Sequence, residues 1–314
     1  MCTTSPQSQS QTRQPTATPT IAESVDDIFQ CPNCSCSLLA APAQRLNTLP
    51  DSCPQCNNTF PRSEDFVDLT IQSGPILPEP LRLLRDLRTA PGRQTLFQLP
   101  MVSYAYERGW RKNFSMGGFP GADKEVDLLL DFAPNADLVL DMSCGSGIIS
   151  RQLATRTPYR RVIAVDYSET MLREAASRAR KDVRAPELDL LRADVSALPF
   201  KDSVFDVVHS SAALHCWPVV QDGLRELHRV LQPGGRFFAT TFSREYPEIG
   251  FSALPFGDRL RRRIRDLRRL GARNPYRFFD REELVYLVRA AGFIDVDVTV
   301  DRAFAVIRCR KRGA

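Results

Sequence analysis

The chain has 314 residues, 43% of them hydrophobic and 25% charged, a balance that fits an ordinary globular protein and excludes a low-complexity or fibrous one. Lys and Arg exceed Asp and Glu by only 42 to 37, so the position of the basic residues matters more than the net charge of +5. No apolar run approaches the roughly 20 residues that cross a bilayer, which excludes a membrane-spanning helix.

Residues 1–24 open on "MCTTSPQSQSQTRQPTATPTIA", rich in Ser, Thr, Gln and Pro and free of acids. A transit peptide shares that composition but usually carries more than the single Arg13, so this segment reads as a disordered tail. Residues 25–70 contain "CPNCSCSLLAAPAQRLNTLPDSCPQC". Here Cys31 and Cys34 form one C-x-x-C pair, Cys53 and Cys56 another, and 18 residues separate the pairs. That is the spacing of a structural zinc ribbon, in which four thiolates fill a tetrahedral ion and leave no open position. Cys36 in "CPNCSC" is an alternative to Cys34 as the ligand. The segment is too short for a core of its own, so metal would supply much of its folding free energy, and its thiols imply a reducing compartment. "DFVDLT" reads as the strand that closes this module.

Residues 71–100 form a proline-containing linker with a short amphipathic piece at "LRLLRDLR". "SYAYERGWRKNFSMGGFPG" then leads into the helix "ADKEVDLLLDFA"; its aromatics either cover a ligand or pack that helix. Next, "LVLDMSCGSGIISRQLA" gives a strand, a glycine turn and a helix, which brings backbone N–H groups and a helix N-terminus close to a ligand. The following strand, "RVIAVDYS", ends in Asp166, 19 residues beyond Gly147, where a carboxylate accepts hydrogen bonds from ribose hydroxyls. NAD and S-adenosylmethionine (SAM) both contain that ribose. Three further features favour SAM. The turn has Ser150 where a pyrophosphate fingerprint has its third glycine. Asp141 precedes the glycines, where it would repel a pyrophosphate but suit an ammonium group. Finally, "LRADVSALPF" forms a third strand with Asp194 at its end, placed for an adenine amino group.

"VLDMSCGSG", "VIAVDYSETML", "RADVSALPF", "FDVVHSSAALHCW" and "RVLQPGGRFFATTF" together resemble the ordered motifs of class I SAM-dependent methyltransferases, in the branch of the ubiquinone and menaquinone methyltransferases. "ERGWRKNF", "GFPG", "SCGSG" and "AALHCWP", behind the cysteine module, more closely resemble uncharacterised plant chloroplast methyltransferases and their cyanobacterial-type relatives. The module joined to such a core is also similar to zinc-containing bacterial enzymes that methylate a guanine of the large ribosomal RNA. The resemblance implies that Asp141 contacts the methionine amine, through water, with Ser143, Gly145 and Gly147 forming the turn beneath it. It places Asp166 on the ribose, Tyr167 and Met171 against the adenine, Asp194 and Val195 on the adenine edge, and Ser210 by the methionine carboxylate.

On the substrate side, "HSSAALHCWP" sits where an open α/β sheet has its ligand crevice, and His215 there is the candidate general base. The alternative is a histidine packed under the loop with Trp217. His209, within a strand, and His228, on a helix, read as structural. Residues 245–278 form an insertion in which Leu260, Ile264 and Leu267 share a helical face surrounded by arginines. Such a helix serves as a lid, an RNA grip or an edge lying on a membrane or lipid particle. The expected architecture is therefore α/β: a zinc ribbon followed, over residues 101–314, by a Rossmann-like methyltransferase domain. Its sheet is seven-stranded and mostly parallel, with helices on both faces. The expected activity is methyl transfer from SAM to a small lipophilic or aromatic acceptor, with an RNA base as the alternative acceptor and a non-catalytic SAM-binding scaffold as the other reading. The expected location is a bacterial cytoplasm or, in a plant or alga, the chloroplast stroma or its lipid particles.

Overall fold

The computed structural model describes residues 28–38, 46, 49–71, 118–182, 188–244 and 277–314. The predicted tail, nearly all of the linker, the aromatic stretch before Gly118 and almost all of the arginine-rich insertion, with Leu260, Ile264 and Leu267, lie outside those residues. The strands are β1 (Val67–Asp68), β2 (Leu138–Met142), β3 (Arg161–Asp166), β4 (Asp189–Arg192), β5 (Phe205–Ser210), β6 (Leu231–Phe242), β7 (Ile294–Asp301) and β8 (Phe304–Arg310). The helices are α1 (Ala122–Phe132), α2 (Ile148–Arg156), α3 (Glu169–Lys181), α4 (Val220–Val230) and α5 (Arg281–Ala290).

All eight strands join one sheet in the order β1-β4-β3-β2-β5-β6-β8-β7. Neighbours from β1 to β6 are parallel, whereas β8 runs antiparallel to both β6 and β7. The sheet is the predicted Rossmann-like one with one strand more. "DFVDLT" does bridge Val67 to Arg62 inside the cysteine module, but it also pairs Val67 and Asp68 with Leu191 and Arg192 of β4.

Two-residue alternation along the strands decides what each face buries. Leu138, Leu140 and Met142 of β2 face a layer built from α4, α5 and the cysteine module, and pack with Leu224, Leu284, Phe29 and Phe60 in one continuous core. Val139, with Val162, Val207 and Phe238 of neighbouring strands, faces α1 and α2 through Val126, Leu129, Ile149 and Leu153. Ala164 and Leu190 pack against Leu172, Ala175 and Ala176 of α3 on the same side.

The cysteine module is tied into the domain by more than its thiols. Phe29 packs its ring 5.4 Å from that of Phe200, which in turn meets Phe205 edge-on at 4.8 Å. Backbone bonds run from Gln30 N–H to Pro199 O and from Lys201 N–H to Ile28 O. Each such buried aromatic contributes about 1.5–3 kcal/mol, so folding of the module draws on the core of the whole domain as well as on its thiols.

The strand order reverses between β2 and β5, with β3 and β4 on one side and β6 on the other. Open α/β sheets place their ligand crevice beyond the C-terminal strand ends at such a point. Asp141, Asp166, Arg192 and Ser210 all lie on the last two residues of these strands.

Candidate active site

The turn from β2 into α2 is a sharp one: Ser143, Gly145 and Gly147 all have positive φ, of 59°, 57° and 72°. Glycine suits two of these positions because it adopts that conformation without strain. At Gly147 a side chain would also be crowded, since its Cβ would stand 3.0 Å from that of Ala175 on α3. The turn is tied down by Cys144 N–H on Val165 O and by Gly145 N–H on Asp166 Oδ2 (2.8 Å). Ser168 N–H occupies the other oxygen of Asp166, also at 2.8 Å, while Ser168 Oγ caps α3 by accepting Met171 N–H. Burial, assisted by the nearby Asp141 charge, pushes the Asp166 carboxyl up to about 6 despite its N–H donors.

Farther along the crevice, Asp194 lies two residues beyond the end of β4 and accepts both the N–H and the Oγ–H of Ser196, with Val195 buried beside it. Tyr167 offers its carbonyl to Arg192 Nε at 2.9 Å, and the guanidinium lies 5.0 Å from the centre of its ring. Arg192 also meets Asp68 at 2.8 Å and Glu169 at 3.1 Å, all three largely withdrawn from solvent. A residue of the cysteine module thus holds the arginine that braces the Asp166–Glu169 loop. Sequence reasoning missed this arginine because its partner is 124 positions away.

Past β5, Trp217 reaches back and donates its indole N–H to Ser143 Oγ (3.1 Å). Gly223 on α4 makes room for it, since a Cβ there would stand 2.9 Å from Cε3 of the indole. His215 lies in the short 3-10 turn Leu214–Cys216, buried, with its ring edge-on to Phe242 at 4.7 Å. Burial lowers its pKa to about 3, which leaves it neutral and weakly basic. The Ser210 hydroxyl is buried at the end of β5 and makes no hydrogen bond to the described residues.

His209 is more than a packed strand residue. Asp141 and His209 are partners in the β2–β5 register, and His209 and Phe238 in the β5–β6 register, so the three stand in a row on the face toward α1 and α2. His209 Nδ1 meets Asp141 Oδ1 at 2.7 Å and Nε2 meets Glu125 Oε1 at 3.1 Å, so a protonated ring donates to a carboxylate from each nitrogen. Ser150 Oγ donates to the other oxygen of Asp141, which explains the serine at the position of a third glycine. Asp141, His209 and Glu125 are all inaccessible to solvent. Burial alone would discharge the imidazole, but the hydrogen bonds and charges of Asp141 and Glu125 outweigh it and raise its pKa to about 9. Glu125 was not singled out from sequence. Its signal was an acidic residue on the apolar stripe of α1, four positions before Leu129 and next to Val126.

In the module, the two predicted knuckles are copies of each other. Cys31 N–H bonds Cys36 O and Ser35 N–H bonds Cys31 O, and Cys53 N–H bonds Asn58 O and Asn57 N–H bonds Cys53 O, in the same pattern. Ser35 and Asn57 take matching positive φ values of 58° and 56°. The thiol sulfurs of Cys31, Cys34, Cys53 and Cys56 lie within 4.8 Å of one another, a cluster able to hold a metal ion. Cys36 is left against Cys53, sulfur to sulfur at 3.1 Å. Burial disfavours a Cys53 thiolate, but N–H groups of Cys56 and Gln55, with the Cys36 thiol, bring its pKa down to about 6.

Residues 140–239 match the family described as Methyltransferase domain. An uncharacterized chloroplastic methyltransferase of Arabidopsis thaliana is 33% identical over 305 residues, covering 94% of this chain and 81% of that protein. This chain is a SAM-dependent methyltransferase. A second chloroplastic methyltransferase of the same plant is 35% identical over 90% of this chain and 79% of its own length. The ubiquinone/menaquinone biosynthesis C-methyltransferase UbiE of Cereibacter sphaeroides is 32% identical over 53% of this methyltransferase and 71% of its own length. The fold is also that of phosphoethanolamine N-methyltransferase 2 of Haemonchus contortus, solved with SAM: TM-score 0.52, 17% identity, 76% of this chain and 60% of that one.

Proposed function

We propose that this methyltransferase carries the SAM methyl group to a small lipophilic or aromatic acceptor with a quinol-like ring. The observation that carries the reading is the likeness to UbiE over 53% of this chain, since UbiE is named for C-methylation in quinone biosynthesis. Methyl transfer is an in-line displacement at the sulfonium methyl, so the protein mainly positions donor and acceptor and removes a proton where the acceptor requires it. Among the residues on the crevice, Asp141 meets the methionine amine through water, the Ser143–Gly147 turn lies under it, and Ser210 offers its hydroxyl to the methionine carboxylate. Asp166 takes the ribose, exchanging turn N–H donors for hydroxyls. Tyr167, Met171, Asp194 and Val195 border the adenine. His215, held neutral by burial, acts as a weak proton acceptor.

The metal is structural zinc. Zinc–sulfur bonds of about 2.3 Å in a tetrahedron set the sulfurs about 3.8 Å apart. The Cys31–Cys56 and Cys34–Cys53 separations are 3.7 and 3.6 Å. The chloroplastic relatives support a plastid location. The deciding test offers purified protein and tritium-labelled SAM either a solvent extract of lipids or total RNA from the source cells. Label in the solvent-extractable fraction is the expected result. Label in RNA alone would replace the acceptor class and move the module to an RNA grip.

A further inference from the structure

The assignment of Asp141 to the methionine end leaves open what sets the charge of that end. Five elements meet there. Glu125 on α1 accepts from His209 Nε2 on β5, from Thr240 Oγ1 on β6 at 3.1 Å, and from Ser211 Oγ just past β5 at 3.1 Å. Thr240 Oγ1 in turn receives Ala212 N–H at 2.9 Å. His209 passes the link to Asp141 on β2, whose second oxygen is fixed by Ser150 of α2. Phe238 stacks on His209 at 5.9 Å with the Arg308 guanidinium over Phe238, and Asp166 is the other acid close to Asp141.

We propose that Glu125 is a positioning residue for SAM: by pairing with His209 it keeps Asp141 net negative and aimed for the ammonium of the methionine moiety. The argument is charge counting in a dry interior. An Asp141 carboxylate against an imidazolium is a neutral pair, which offers an ammonium little. A second carboxylate on the far nitrogen of the same ring leaves one negative charge over the trio. It also engages both ring nitrogens as donors, so His209 holds one oxygen of Asp141 while Ser150 holds the other, and the Asp141 rotamer is fixed at the start of the glycine turn. A histidine that merely filled space would not need a buried acid on each side.

This inference rests on Asp141 being at the amino-acid end, and the test separates the two. Dissociation constants for SAM and for 5′-methylthioadenosine, which keeps the adenosine but lacks the amino-acid part, are measured calorimetrically for the wild type, Glu125→Gln and Asp141→Asn. The expected result is about tenfold weaker SAM binding in both variants, with methylthioadenosine within twofold of wild type. If Asp141→Asn weakens both ligands equally or neither, the assignment of Asp141 is wrong and the inference falls with it. If Asp141→Asn is selective for SAM while Glu125→Gln is not, the role of Glu125 alone is refuted. A measurement on the wild-type protein covers the case in which a variant does not fold. With only three histidines in the chain, the 15N shifts of the labelled imidazoles should show His209 protonated on both nitrogens at pH 8. A neutral His209 ring at that pH overturns the proposal.

Discussion

Replacing Asp68 with Asn removes a buried charge that the cysteine module contributes to the domain. Asp68 and Arg192 are about 1% and 3% exposed and meet at 2.8 Å. Deleting one partner of a buried ion pair costs about 3–5 kcal/mol, because the remaining charge stays buried. Glu169 remains 3.1 Å from the same guanidinium nitrogen and Tyr167 O still accepts from Nε, so the low end, about 3 kcal/mol, is expected. Thr70 keeps its bonds to the retained Oδ1. At roughly 2–4 °C per kcal/mol for a domain of this size, the melting temperature should fall by about 6–12 °C. SAM affinity should fall with it, since Arg192 braces the loop that carries Asp166. Urea unfolding followed by circular dichroism gives the stability, and calorimetry the affinity. The double variant Asp68→Leu with Arg192→Met should recover most of the loss. A loss below about 1 kcal/mol in the single variant would refute the claim that this pair ties the module to the domain.

Cys53→Ser, or treatment with a strong zinc chelator, should lower the melting temperature without selectively weakening the methionine end of SAM; an unchanged melting curve would refute the metal assignment. Asp166→Ala should raise the SAM dissociation constant tenfold or more through two lost hydrogen bonds. In the wild type, SAM binding should weaken as pH falls through about 6, where the free Asp166 carboxyl gains a proton and stops accepting. A flat profile from pH 5 to 7 would count against the ribose role. For His209, whose folded pKa is raised from 6.5 to about 9, the linked stability is fully present below pH 6.5 and is lost as pH rises through 9. The amount is on the order of 3 kcal/mol, and a urea midpoint that does not drop over that window would refute the doubly paired imidazolium. His215→Gln should reduce kcat and spare SAM binding; an unaltered kcat would remove it from the chemistry.

Much of this molecule was legible in its residues because the information was local. The strand, glycine turn and helix from Leu138 to Ala154 announce themselves within one turn's length, and spacing points to the module thiols, leaving only Cys34 against Cys36 for the fold to sort by bringing Cys34 to the other three. Asp166 follows from its place at a strand end. The rest depended on register, which no short window contains. A two-residue strand such as Val67–Asp68 has too little pattern to reveal that its partner is β4. His209 looked like a packed strand residue until the β2–β5 register set it beside Asp141 and the α1 stripe brought Glu125 to its other nitrogen. The burial that makes His215 a poor base is likewise a property of the loop and Phe242 together.

The position of β1 also bears on how the chain can be dismantled. It is the outermost strand, covering the flank of β4 whose backbone groups would otherwise be open to another polypeptide. Cutting the chain down to residues 118–314 would strip that flank, uncover Phe200 and take Asp68 from Arg192 in one stroke. Such a fragment is a candidate for inclusion bodies rather than for a minimal enzyme, and exchanging the front end between relatives would require trading its contact residues on the sheet as well.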